Sequence, residues 1–514
     1  MDTNRGLSAV EKIPAEVWLQ IFQDVPRSTD LHSVSVASRR FRDLTTRALH
    51  RDLVWMNGKH VAENFSVWET NEGMENSVRS LQLGRTAALD NFLHNGTSQV
   101  TPGQLQAILF ARIRLFTNLS TLTFTDMSIY SGHFALIHAL PQLRSLRFDH
   151  CMFHHDAAED VNNKSLPITE LTMLNIRSGS RIRTHGPPVV QIPIAAVHAW
   201  QQPVHPVHPL DPLARVLSLA VAQNLRTLTV DASADVFRLV FNASDAEARG
   251  WTVPASLEHV YIARDHTVAA WEPNQPANWG GGGHGVFPDT HLYHFCTLAT
   301  NLRTVSTPLF ASAQLTVAPE DLPVGLERFA APLETAQFVA AVCDLKALGL
   351  LKCGLKGGEG LTALEDIACV RPGLKMLSME VKAWDPEVVP AVSLHFRELR
   401  RLKVVYDSVG PDENYIVSLA PDFLANLPDL HTLEMYRLPK HGGFIPAHPK
   451  HLFDPSWGSI EEELRDILIG WNRFCPKLRK VQLVSGYIMT RAFEGATWTL
   501  QKVHRLEQVE DLEY

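Results

Sequence analysis

The chain has 514 residues, 45% hydrophobic and 20% charged, which suits a folded chain of several cores or one long repeat array and excludes a disordered polymer. Its formal charge of −8 leaves no basic excess to neutralise phosphates, which argues against nucleic acid as the main partner. Six scattered cysteines without Cys-x-x-Cys pairing, no signal-type apolar run and no stretch of about 18 apolar residues lead to the expectation of a cytoplasmic and/or nuclear protein with no membrane partner.

After a flexible N-terminus over 1–12, the stretch from Ile13 to Val54 reads as three short helices. Pro14 suits a first helical position, where its missing N–H would be unpaired in any case. Ile13, Val17 and Ile21 recur at four-residue spacing, and Leu19, Phe22 and Val25 widen the apolar surface. Pro26 ends that helix, and Ser28 caps a second one presenting Leu31 and Val34. A third, basic-apolar helix follows around Phe41, Leu44, Ala48 and Leu49. About 40 residues rarely make a stable core alone, so something else must cover part of this surface.

The order Ile13-Pro14-Ala15-Glu16-Val17, Ile21-Phe22, Asp30-Leu31 and Val36-Ala37-Ser38-Arg39-Arg40-Phe41 resembles an F-box. The trailing Leu49-His50-Arg51-Asp52-Leu53-Val54-Trp55 is similar to the segment that often follows the box in fungal members. Ile13 stands where the family usually has Leu, a conservative departure. The resemblance implies that the box, 13–55, binds the Skp-type adaptor of a cullin–RING ubiquitin ligase. It implies adaptor-binding roles for Ile13, Pro14, Val17, Ile21, Phe22, Leu31, Val34 and Phe41, some of which must build the box's own core.

Linker helices are expected over 56–77, and from Val78 one short string returns thirteen times. An apolar leader is followed by two other residues, an apolar residue, one other and usually a third apolar residue, as in VRSLQL from Val78, LSTLTF from Leu119 and LRRLKV from Leu399. Eight of the thirteen leaders are followed directly by Arg or Lys. Pro141, Pro372, Pro428 and Pro476 lie two positions before a leader, and Asn118, Asn224 and Asn301 lie one before. A proline there stops a helix and lets the chain enter a strand. Helices are expected before these stops, over 103–116, 211–223, 335–344, 359–370, 386–396 and 459–474.

The intervals between unit starts run from 19 to 57 residues, and the short ones cluster in the leucine-rich-repeat range of about 20–29. The pattern is similar to the cysteine-containing repeats of that family in Phe474-Cys475-Pro476-Lys477-Leu478, and in Cys151 and Cys353 after their strands. The expected fold class is α/β: a short three-helix F-box, then an irregular leucine-rich-repeat solenoid over 78–500, strands parallel on the concave face and helices on the convex face. An acidic C-terminal tail is expected over 501–514. Alternation turns the apolar positions inward and leaves Arg226, Thr229, Arg400, Lys403 and Glu434 outward on the inner curve. Arg226, Thr229, Arg400 and Lys403 are therefore candidate substrate contacts.

Pro- and Gly-rich insertions occupy 178–212, 264–289 and 439–457, the first with seven prolines from Pro187 to Pro212. They read as tolerated surface loops. Trp271 and Trp279 tilt the second towards binding and join the candidates, because aromatics anchor interfaces. Gly280 to Gly285 satisfies G-x-G-x-x-G without the strand and helix that give it meaning. The His150, Cys151, His154, His155 and His441, His448, His451 groups match no zinc spacing, so neither metal nor cofactor is expected. The expected role is a non-catalytic, substrate-recruiting subunit of a Skp–cullin–F-box ubiquitin ligase, holding an unknown protein substrate on the repeat arc. The alternatives are a non-degradative interaction scaffold and an enzyme with an unrecognised site.

Overall fold

The computed structural model describes residues 13–23, 25, 28–56, 61, 74–84, 102–154, 167–179, 224–231, 253–263, 290–308, 320, 322–353, 359–437, 451–503 and 509–514. The chain divides into two compact units, Met1–Leu225 and Arg226–Tyr514.

The first unit opens with helices α1 (Ala15–Gln23), α2 (Ser28–Ala37) and α3 (Arg39–Leu49). Ser38 caps α3, its Oγ accepting the Phe41 N–H at 3.1 Å. Arg40 Nη2 donates to the Ile13 carbonyl at 2.8 Å, tying α3 to the chain that leads into α1. Parallel strands follow: β1 (Asp52–Trp55), β2 (Ser80–Leu83) and β3 (Thr121–Thr125). After β3 each repeat carries two strands, so β4 (Ser128–Ile129), β6 (Met152–His154) and β8 (Arg177–Gly179) form a small sheet of their own. The main ladder continues in β5 (Ser145–Asp149) and β7 (Glu170–Leu174). Helices α4 (Pro102–Ile113) and α5 (Ser131–His138) precede β3 and β5.

The corner between the two strands of a repeat is made the same way three times. Asp126, His150 and Asn175 have φ of 50°, 56° and 55°. These are the non-glycine residue types that best tolerate the left-handed region. The Asp126 N–H donates to the Asp149 carbonyl at 2.8 Å and the His150 N–H to the Leu174 carbonyl at 2.9 Å, so the first two corners are pinned to the next repeat.

The second unit is a ladder of β9 (Thr227–Asp231), β10 (His259–Ala263), β11 (Thr304–Ser306), β12 (Arg328–Ala331), β13 (Ala347–Cys353), β14 (Met376–Val381), β15 (Arg401–Tyr406), β16 (Thr432–Arg437) and β17 (Lys480–Val484). Each pairs in parallel with the next. Helix α6 (Thr290–Leu298) precedes β11, and α7 (Leu333–Val342), α8 (Glu359–Val370), α9 (Val388–His395), α10 (Glu413–Asp422) and α11 (Ile460–Trp471) alternate with strands from β12 onward. The ladder closes differently from the all-parallel expectation. β18 (Tyr487–Thr490) and β19 (Thr499–Lys502) are antiparallel, because the five-residue strand β17 turns back at Gly486, φ 82°, instead of crossing over through a helix.

All thirteen strings found in the sequence are strands, and each strand starts two residues after its apolar leader. The residue between leader and strand explains the register. Its carbonyl accepts the N–H groups of two consecutive residues in the following repeat: Lys375 O from Arg400 and Arg401 at 2.7 and 3.1 Å, Arg400 O from His431 and Thr432 at 2.9 and 3.1 Å. The same forked bond starts at Arg51, so β1 is a further rung within the stretch that the resemblance attaches to the box. The asparagine before a leader also has a task. Asn118 Nδ2 donates to the Asn76 carbonyl at 2.8 Å, and Asn301 Nδ2 to the Ala255 carbonyl at 2.6 Å, closing the turn of the preceding repeat.

One face of each ladder is an apolar column. In the first unit Leu81, Leu122, Leu146 and Leu171 stand in register, all essentially inaccessible. In the second, Phe329, Leu348, Leu377, Leu402, Leu433 and Val481 do the same. Each such side chain contributes roughly 1.5–3 kcal/mol of burial. Helices α5, α6 and α10, absent from the sequence reading, supply further cover. The expected helix over 211–223, the insertions over 180–212, 264–289 and 439–450, and most of the expected linker helices lie outside the described residues. Of those linker helices, the described part includes helical Val61 and a 3-10 turn, Met74–Ser77.

Candidate protein-binding surfaces

The helical module divides the residues singled out in it into two groups. Phe22 and Leu31 are buried, and Phe41 packs with Trp18 and Phe22 at ring distances of 4.8 and 5.5 Å. Ile13 and Val34 are half-buried. Pro14 is exposed, and Val17 and Ile21 are 45% and 44% exposed. Four residues apart on α1, Val17 and Ile21 share one helix face. Leu31 is therefore a core position of the module, not a contact on its surface. Trp18, missed in the sequence reading, is the centre of the aromatic core; its offset of four from Phe22 was the available signal. Beside the module, Leu19, Arg47, Arg51, Asn76 and Arg79 line a cleft of about 400 Å³, and Arg51 Nε pairs with Asp52 at 2.9 Å.

The second surface is the sheet face opposite the apolar column in the second unit. Register places Arg328, Ala347, Met376 and Arg401 in one row across β12–β15, and Ala330, Gly349, Ser378 and Lys403 in the next. Four small residues and three cations thus occupy eight adjacent positions. Most of this floor is buried, and the chain itself covers it. The acidic segment Val509–Tyr514, which takes no place in the strand ladder, lies across it. Glu510 is buried against Lys403 Nζ at 3.0 Å and accepts from Ser378 Oγ at 2.6 Å. Asp511 pairs with Arg401 at 2.8 Å, and the same guanidinium nitrogen donates to the Glu513 carbonyl at 2.9 Å. Leu512 packs with Ala330, Ala347, Leu351 and Met376. Glu513 pairs with Arg328, whose guanidinium also sits 5.4 Å from the Tyr514 ring centroid. Gly349 makes the room: a Cβ there would stand 2.7 Å from that of Ala330 and 3.5 Å from a Leu512 methyl.

The candidate contacts of the sequence reading therefore fare differently. Thr229 lies on this face in register with Tyr261, as expected. Lys403 and Glu434 lie on it too, but both are buried, Lys403 by Glu510 and Glu434 among Arg401 and Lys480 at 3.2 and 3.1 Å. Arg226 and Arg400 are not on the inner face. They stand one residue before their strands, exposed along the edge where the forked carbonyls run, because the strand begins only at the next residue. Trp271 and Trp279 lie outside the described residues.

Three cysteines are packed thiols. Cys475 Sγ donates to the Leu430 carbonyl at 3.2 Å and Cys151 Sγ to the Phe124 carbonyl at 3.4 Å, each reaching the preceding repeat. Burial pushes both thiols up to about 11 and Cys296 up to about 12, far from the range of a reactive thiolate. Cys369 is exposed and Cys343 half-buried. Among the described residues no group of three His, Cys, Asp or Glu is placed to hold a metal ion, and no helix is long and apolar enough to cross a membrane.

No family model and no curated protein matches the chain. Among solved structures, the chain is similar to one in the complex of Rad7 and Elc1 in yeast, at 13% identity and a TM-score of 0.35, covering 83% of this chain and 92% of that one. It is similar to the leucine-rich repeat-containing protein LegL7 of Legionella pneumophila at 10% identity and a TM-score of 0.30, covering 75% and 90%. A TLR13–ssRNA13 complex matches at 12% identity and a TM-score of 0.27, covering 77% of this chain and 45% of that one. These are distant likenesses, and the reading of this chain rests on its own repeats, which build a leucine-rich-repeat-like ladder of mixed α/β type.

Proposed function

We propose that the chain is the substrate-recruiting subunit of a Skp–cullin–F-box ubiquitin ligase. The helical module docks on a Skp-type adaptor through α1, the adaptor brings the cullin, and the repeat sheet holds a protein substrate. The chain transfers no ubiquitin; it raises the effective concentration of a substrate lysine near the loaded enzyme. The observation that supports this reading is the split within the box-like residues. A small aromatic core joins α1 to α3 and Leu31 of α2 is buried, while Val17 and Ile21 keep an apolar face outward where a partner can cover it.

Pull-down of a purified Skp-type adaptor tests it. Ile21→Asp places an unpaired carboxylate in the proposed interface and is expected to abolish capture while the circular dichroism of the chain is unchanged. Undiminished capture by the folded variant would overturn the docking face. A non-degradative interaction scaffold is the second reading, favoured by the same repeat ladder. Co-purification of a cullin with the full-length chain separates the two.

A further inference from the structure

Glu510, Leu512 and Tyr514 alternate along the acidic segment, and all three meet the sheet: Glu510 at Lys403 and Ser378, Leu512 in the small-residue depression, Tyr514 at Arg328. Asp511 and Glu513 pair with the two arginines of the same floor. Three cations in register meet three carboxylates, and one leucine fills the space left by Ala330, Ala347 and Gly349. The segment reaches this floor from β19 through residues 504–508. Among the described residues it is held through side chains and the Glu513 carbonyl and takes no share in the strand ladder, which makes it a piece that can open locally while the ladder stays closed.

We infer that this floor is a peptide-binding groove, occupied in cis by the chain's own 509–514, for a partner segment of the same chemistry: a buried glutamate, a leucine two residues on and an aromatic residue two beyond that, with acidic residues between. This deepens the proposed function, since it gives the substrate-holding sheet a ligand class, and it rests on that reading of the sheet. The short tether keeps the cis segment at an effective concentration of order millimolar, so a free segment of equal intrinsic affinity competes poorly until the cis copy is displaced or removed.

The test uses a fluorescein-labelled peptide of sequence VEDLEY, capped at both ends, and reads its anisotropy against the full chain and against a chain ending at Val503. The shortened chain is expected to bind the peptide about tenfold or more tighter than the full chain does. Leu512→Ala or Glu510→Gln in the peptide, and Lys403→Met in the shortened chain, are each expected to weaken that binding by about tenfold or more. A full chain carrying both L512A and E510Q supplies a second opened groove and is expected to take up the wild-type peptide. If the shortened chain fails to fold, or if both opened chains fold and neither binds the peptide, the segment is a fixed part of the core and the inference falls. Adaptor capture, measured on the same samples, depends on α1 alone, so its loss without loss of peptide binding would fault the ligase reading and leave the groove standing.

Discussion

Single side chains decide much of this molecule's behaviour. His133 on α5 is almost fully buried between the Phe110 and Phe124 rings, at 5.0 and 5.6 Å, and its Nδ1 accepts the Tyr130 N–H at 3.0 Å. Burial lowers its pKa to about 4 from 6.5, and a proton on Nδ1 would also break that hydrogen bond. A folded-state pKa below the unfolded one means that the unfolded chain binds the proton first. The neutral imidazole's contribution is therefore whole above about pH 6.5 and is lost as pH falls through about 4, amounting to about 3 kcal/mol. Melting temperature is expected to drop across that window, and His133→Gln, which keeps an acceptor but no titration, is expected to flatten the drop. An unchanged acid limb would show that His133 is not the group responsible. On the same scale, Leu31→Asp is expected to unfold the helical module and Ile21→Asp to leave it intact, because Leu31 is 5% exposed and Ile21 44%. Loss of helical signal in the first variant alone, read by circular dichroism, checks the assignment.

At the scale of elements, the strands were legible and their surroundings less so. The leader string located every strand of the thirteen, since the string encodes both the apolar column and the forked carbonyl that precedes it. β1 escaped because His50 stands where a leader would, and because the box resemblance claimed Asp52–Trp55 first. Helices α5, α6 and α10 escaped although Pro141, Asn301 and Pro428 stand after them as stops; α5 and α6 are short, and their apolar residues are dispersed around the helix. The acidic segment was legible as a tail, but its docking on the sheet was not. Its hydrogen-bond partners lie 107 to 185 residues away, and no local period records a pairing of that span. A further anchor was equally hidden. Glu463 on α11 is buried and accepts the Phe453 and Asp454 N–H groups at 2.7 and 3.0 Å, fastening the end of the third insertion to the helix. Glu463→Ala leaves those amides unpaired and is expected to cost about 2–4 kcal/mol in denaturant unfolding, with hydrogen-exchange protection lost first over 452–457. A loss below 0.5 kcal/mol, within the usual scatter of surface substitutions, would mean that the loop is held by other contacts.

Across the whole chain, a helical module with an uncovered apolar face accompanies a repeat ladder whose open face carries a self-matched acidic segment. Both features suit a protein that brings other proteins together. Deleting residues 1–55 would remove β1 as well as the module. Substitution on α1 is the cleaner instrument. The most direct measurement is affinity purification of the full chain from cells, wild type beside Val17→Asp/Ile21→Asp, with quantification of adaptor and cullin. The account expects both to accompany the wild type and to disappear from the variant, while proteins held by the repeat ladder remain. A cullin absent from the wild type, or retained undiminished by the folded variant, would contradict it.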